Sequence, residues 1–240
     1  MHFSTRNAPE APIFNYNIHG WEFLVRNCHR DLGLSVTSNL HWNEHYDMLL
    51  KKAYKTLGLI RRIFQNTRVV QTKKLLYLTL VRSKLQYCSP IWCPQFINDI
   101  KNIENIQRRA TKFILNDYSS DYKSWLIKLN LLPLMIQFET NDIMFFVKNL
   151  RDPSQSFNVM DFVEFCSGST RSSTFLKLKQ RLSKLNSVKH FYFNHLPRLW
   201  NSLLSMDPND PLSATKQKLR QCLWNHFVAH FDPENPCSFH

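Results

Sequence analysis

The sequence predicts a mainly α protein, in which a short N-terminal β remnant precedes a helical bundle and a further C-terminal helical region. Three observations carry this. Between residues 43 and 150, apolar side chains recur at three- and four-residue steps, the pattern of a helix with one buried face. Alternating segments occur only near the start, around His19-Gly20. Glycine is scarce, at 4 of 240 residues, so the turns must rely on Asn, Asp, Ser and Pro.

The elements follow in order. FNYNI and WEFLV flank His19-Gly20 and read as a hairpin. DLGLSV, broken by Gly33, reads as a third strand, so residues 1–42 form a tail and a small sheet. Asn43 is placed to cap a helix, with Glu44 and Asp47 in the first turn, where the macrodipole favours acids. Tyr46, Leu50, Ala53, Leu57, Ile60 and Phe64 mark its buried face as far as about residue 66, and Lys51, Lys55 and Arg62 fall opposite. A second helix, residues 72–87, buries Leu75, Leu76, Leu80, Val81 and Leu85 and stops before Ser89-Pro90. A third, residues 98–116, buries Ile100, Ile103, Ile106, Ala110 and Ile114, and its outer face holds Lys101, Arg108 and Lys112. Two more span residues 121–129, with Trp125, and 134–150, completing a bundle over residues 43–150. Residues 151–172, with SGSTRSS, read as a linker or irregular loop. Residues 173–240 are a C-terminal helical region whose last helix opens at Pro211 and ends near Phe231.

With 43% apolar residues the chain can build a core. The first residues hold no apolar signal region, and runs such as IMFFV fall far short of the about 20 residues that span a bilayer. The expectation is an intracellular protein of nucleus or cytoplasm, not secreted and not in a membrane, with its six cysteines reduced. The net charge of +13 is concentrated: residues 51–113 hold 14 Lys or Arg against two acids, Asp99 and Glu104. Residues 171–189 add six basic residues and no acid. Such local excess points to a polyanion-binding surface. Lys51, Lys55, Arg62, Lys101, Arg108 and Lys112 are the primary candidates for phosphate contacts, with Lys52, Lys73, Lys74, Arg82 and Arg109 behind them. The expected partner is RNA, DNA or an RNA–DNA hybrid, bound with strong salt dependence and little sequence preference.

Other chemistry finds little support. No GxGxxG, GxxxxGK[ST], GxSxG or HExxH is present. Carboxylates for Mg²⁺-dependent phosphoryl or nucleotidyl transfer would have to cluster, yet no Asp-Asp dipeptide exists, and Asp207 and Asp210 sit in the turn DPNDP. Cys88 and Cys93 are half of a zinc ligand set with no second pair nearby, and read as small apolar side chains at a helix end beside Trp92. Cys222, His226 and His230 share a helix side, and Cys237 and His240 could complete a metal set. The competing reading there is an amphipathic helix followed by a frayed tail, and the spacing matches no common zinc module.

The order of segments resembles the C-terminal region of reverse transcriptases from non-LTR (LINE-type, jockey-like) retrotransposons. The residues that carry the resemblance are LHWNEHYDMLLKKAYKTLGLIRR, LLYLTLVRSKLQYCSPIWCP, NDIKNIENIQRRATKFIL, and RSSTFLKLKQRL followed by FYFNHLPRLWNSLLSMDPNDPLSATKQKL, within residues 14 to 230. The resemblance implies a thumb and post-thumb region that holds primer–template duplex. It implies that the palm carboxylates and their Mg²⁺ belong to a part of the enzyme not included in this chain. The chain would then hold no catalytic residue or cofactor of its own, and a palm and fingers polypeptide would be a further partner. The alternatives are a non-catalytic helical protein-interaction module, or an element relic without function.

Overall fold

The computed structural model describes residues 17–22, 26–152, 158–166, 177–181, 191–203 and 212–232. Residues 14–16 and 23–25 of the predicted hairpin, SGSTRSS, Asp207, Asp210, Pro211, Cys237 and His240 lie outside these. The fold is mainly helical, with a little antiparallel β structure at the N-terminal end.

The β segment differs from the expected three-stranded sheet. β1 (Asn17–Ile18) pairs with β2 (Trp21–Glu22), and β3 (Cys28–Asp31) pairs with β4 (Leu34–Thr37), as two separate antiparallel pairs. DLGLSV is therefore a turn with its flanks, not one strand. Leu32 and Gly33 have φ of 44° and 89°, as His19 and Gly20 have 49° and 83°, the positive pair required by a two-residue hairpin loop. Leu34 and Ser35 of β4 are buried, and Ser35 N–H donates to Nδ1 of His45 at 3.4 Å, which fastens the second hairpin to the first helix.

Helix α1 spans Asn43–Ile63, with Trp42 rather than Asn43 at the cap. Tyr46, Ala53, Leu57 and Ile60 are buried as expected, but Leu49 takes the place foreseen for Leu50, which is half-buried like Phe64. The next rod is α2 (Val70–Leu76), a π-helical segment (Tyr77–Arg82) and α3 (Ser83–Gln86). Its buried line is Lys73, Tyr77, Val81 and Leu85, while Leu75 and Leu80 are 61% and 43% exposed, contrary to the expected face. Four-residue steps outrun the 3.6 of an α-helix, and the wider π turn absorbs the difference.

The chain then reverses. Cys88 adopts left-handed φ of 53°, and α4 (Ser89–Trp92) begins with Pro90 in its first turn, where a missing N–H is harmless. Trp92 is wholly buried, its Nε1–H donating to Tyr87 O at 2.7 Å and its ring edge-on to Phe138 at 5.4 Å. Cys88 and Cys93 pack half-buried against the core, which fits the apolar reading of this pair.

Helices α5 (Ile97–Leu115), α6 (Tyr122–Leu129) and α7 (Leu134–Arg151) follow nearly as predicted. Asp121 caps α6 by accepting from Ser124 N–H at 3.3 Å. Within the expected linker, Val159–Asp161 form a 3₁₀ turn and Phe165 bridges antiparallel to Leu178. Helices α8 (Tyr192–Ser202) and α9 (Leu212–His230) pack on α7. One hydrophobic core runs through the described residues from Leu34 to Phe231, with Phe138, Ile143, Phe146 and Val147 of α7 inside it. No helix among the described residues is long and apolar enough to cross a membrane.

Candidate nucleic-acid interface

The direction of each helix decides which cations meet. Asp47 near the start of α1 lies in the electrostatic field of Asp99 near the start of α5, and Arg109 stacks over Tyr54 farther along both, at 5.0 Å. The two helices therefore run parallel. Lys73 meets Phe113 and Tyr77 meets Gln107, so the α2–α3 rod runs antiparallel to α5. The ends of α1 and α5 and the start of α2 thus share one end of the bundle. That end carries Arg61, Arg62, Arg68, Lys74, Arg109 and Lys112, and no acid occurs in residues 61–74 or 105–116. The acids Glu44, Asp47 and Asp99 sit at the opposite end, and Glu104 is buried. Asp117, just beyond α5, accepts from Ser120 and Ser119, and these bonds hold its carboxyl well below the usual range; the Lys128 ammonium lies 3.3 Å away.

Of the candidates from the sequence, Lys51, Lys52, Lys55, Arg62, Lys101 and Arg109 are exposed, and Lys74, Arg108 and Lys112 are half-buried. Lys101 belongs to the first turns of α5, away from the basic end. Arg108 leans over Tyr122 at 5.1 Å and Lys112 over Trp125 at 5.2 Å, so aromatic faces hold both stems against α6. Two candidates are withdrawn from the surface. Arg82 is 5% exposed and donates to Leu132 O at 3.0 Å. Lys73 is 6% exposed and sits over Phe113 at 4.5 Å. In the sequence both are candidates by charge alone; Lys73 lines up with the buried Tyr77, Val81 and Leu85, and Arg82 closes the π-helical segment beside them. Arg61 and Arg68 are cations of the same end that the sequence did not single out; the local charge pattern held the signal, but only the packing of the helices brings them to the end that carries Lys112.

A buried polar network sets the position of α5 under this surface. The Glu104 carboxylate accepts from Tyr122 OH and from Leu134 N–H, the latter at 2.8 Å. Gln107 accepts from Tyr77 OH at 2.9 Å and donates to Leu132 O at 3.0 Å. These bonds tie α5 to the π segment, α6 and the start of α7. Burial pushes the Glu104 carboxyl up, against the opposing pull of Tyr122, Leu134 N–H and Arg82.

Of the metal candidates, Cys222, His226 and His230 belong to the described residues. His226 and His230 have ring centroids 4.8 Å apart and Cys222 is half-buried beside the core, but no group of three potential ligands forms among the described residues. Leu219, Leu223 and Phe227 are the buried stripe of α9, as the amphipathic reading requires. Comparison with family models, curated proteins and solved structures finds no match for the chain.

Proposed function

We propose that the chain holds primer–template nucleic acid, an RNA–DNA hybrid or duplex, through the basic end of the α1–α2–α5 bundle, as a thumb-like part of a non-LTR reverse transcriptase. The reading assigns no catalytic residue and no cofactor to this chain. The observation that carries it is the separation of charge: cations from three segments share one end, where Asp117 is tied up by Ser119, Ser120 and Lys128, while Glu44, Asp47, Asp99 and Glu104 lie at the other end or inside. A duplex presents a phosphate charge every ~1.7 Å of its axis, and a rigid cluster of cations competes with the counterions it carries. Arg is well suited to such contacts, since its fork matches phosphate oxygens.

The test is fluorescence anisotropy of the purified chain with a labelled RNA–DNA hybrid over a salt series. Engagement of about five phosphates gives a log–log slope near −4 to −5. Arg62→Glu combined with Lys112→Glu should weaken binding to every sequence about equally and flatten that slope. A folded chain that shows no salt-dependent binding, or a variant that changes base preference instead, would overturn the proposal. Tight, salt-insensitive binding to a protein would favour an interaction module.

A further inference from the structure

Helix α9 carries a second stripe besides its buried one. Gln217, Arg220, Gln221 and Trp224 recur at three- and four-residue steps and face Ile127 and Asn130 at the end of α6. Together they line an open-sided cleft of about 370 Å³. Its composition is unusual for a helix–helix seam. Apolar helix seams close by interlocking side chains, whereas this one presents three amide side chains, a guanidinium and an indole around open space. The volume lies within the range of small-ligand sites, about 300–1,000 Å³.

The side chains are held in place. Tyr122 meets Phe231 at 6.2 Å, and Arg220 Nη2 donates to Asn130 O at 3.4 Å and Oδ1 at 3.3 Å, so α6 and α9 run antiparallel and are clasped at the cleft. Gln221 donates to Asn225 at 3.3 Å. The Trp224 indole rests on Phe227, with ring centroids 5.4 Å apart. Neither helix contains an acid; Lys123 and Lys216 lie one helical turn before Ile127 and Arg220, and Lys128 is paired with Asp117.

From these observations, and resting on the nucleic-acid reading above, we propose that the α6–α9 cleft seats an unpaired nucleobase of a single-stranded segment continuing from the held duplex. An indole face stacks on any base, and amide side chains match the mixed donors and acceptors of an unpaired Watson–Crick edge. Lys112 lies over Trp125 of α6, so the basic end and the cleft are the two flanks of the same helix. One helix diameter, about 10 Å, separates them, a span a strand leaving the duplex can cover.

The experiment compares a blunt RNA–DNA hybrid with the same hybrid bearing a short single-stranded extension that contains 2-aminopurine, using the whole chain. The extension should raise affinity about tenfold, the scale of one base stacked on an aromatic ring, and the 2-aminopurine emission should be quenched on binding. Gln217→Glu places a charge in the cleft at an exposed position and should abolish the gain and the quenching, while blunt-hybrid affinity changes less than about twofold. No gain from the extension, or equal loss of blunt and extended affinity in the variant, would overturn the cleft and leave the duplex reading standing. If the blunt hybrid shows no salt-dependent binding, the duplex reading fails. A free single-stranded oligonucleotide then decides the cleft: binding that Gln217→Glu removes supports it, and no binding overturns it.

Discussion

Replacing Asp142 by Asn should stabilise this protein at neutral pH. Glu139 and Asp142 lie one turn apart on α7, 4% and 2% exposed, and Glu139 Oε2 and Asp142 Oδ1 are buried without hydrogen-bond partners among the described residues. The groups facing them are each other, the Cys93 thiol after α4 and the Tyr192 phenol of α8. Burial holds both carboxyls up at about 8, and the Asp142 charge adds to the effect on Glu139. In the unfolded chain they titrate near their ordinary 4.5 and 3.8. Below about pH 3 both states are protonated and the pair carries no penalty. Between about pH 4 and 8 the unfolded chain loses protons that the folded chain keeps, so stability falls as pH rises. At pH 7 the Asp142 gap of about three pH units corresponds to about 4 kcal/mol, an upper bound that relaxation of the site reduces. Asp142→Asn removes the term and leaves intact the Tyr192 bond, which goes to the main-chain oxygen of Asp142 at 2.8 Å. The expected gain is about 1–3 kcal/mol at pH 7 and about a quarter of that at pH 4.5. Urea unfolding of both proteins at steps from pH 4.5 to 8 measures it. His45, whose buried ring is held below its usual range, pushes stability the other way with pH, but it is common to both proteins and cancels in the difference. A variant less stable than the parent at pH 7, or a difference that does not grow with pH, would refute the reasoning.

Gln107→Leu should cost about 2–4 kcal/mol in urea unfolding, because it strands Tyr77 OH in the core and leaves Leu132 O to Arg82 alone; a loss below about 0.5 kcal/mol would show that the network contributes little. Arg82→Ala should lower the melting temperature, because it strips a partner from Leu132 O inside the core, whereas Arg62→Glu should weaken hybrid binding with melting unchanged; the reverse pattern would restore Arg82 to the surface. Burial, with the fields of Asp142 and Glu139, raises the Cys93 thiol well above its ordinary range. Cys93 should therefore stay unmodified by a thiol-specific reagent at pH 8 in the native state and react on unfolding, and rapid native labelling identified by peptide mapping would contradict its placement.

The helical architecture was legible in sequence because α1, α5, α6 and α7 each carry one apolar stripe and bury it. Periodicity is a local property, and it survives as long as the turn stays α. It failed at Leu75 and Leu80, because the rod buries the four-residue line Lys73, Tyr77, Val81 and Leu85, which the π segment Tyr77–Arg82 accommodates, and leaves those two leucines outside. It also failed at Leu32-Gly33, where a hairpin loop interrupts what reads as one strand. The candidate interface was legible as charge concentrated between residues 51 and 113. The α6–α9 cleft was not, because its two sides are about 90 residues apart and each reads alone as an ordinary solvated helix face.

By itself the sequence determined the approximate helix positions, the helix end before Ser89-Pro90, the packing of Trp92 beside Cys88 and Cys93 and the excess of positive charge, all of which follow from spacing and composition. Tertiary structure decided what those features do together. The parallel course of α1 and α5 gathers Arg61, Arg62, Arg68, Lys74, Arg109 and Lys112 at one end and sends Asp47 and Asp99 to the other. The packing of α5 on α6 and α7 drew Glu104 and Gln107 into the interior, and the clasp of Arg220 on Asn130 formed the cleft. A charge has a sign in the sequence, but its neighbours and its access to water exist only once distant segments have packed.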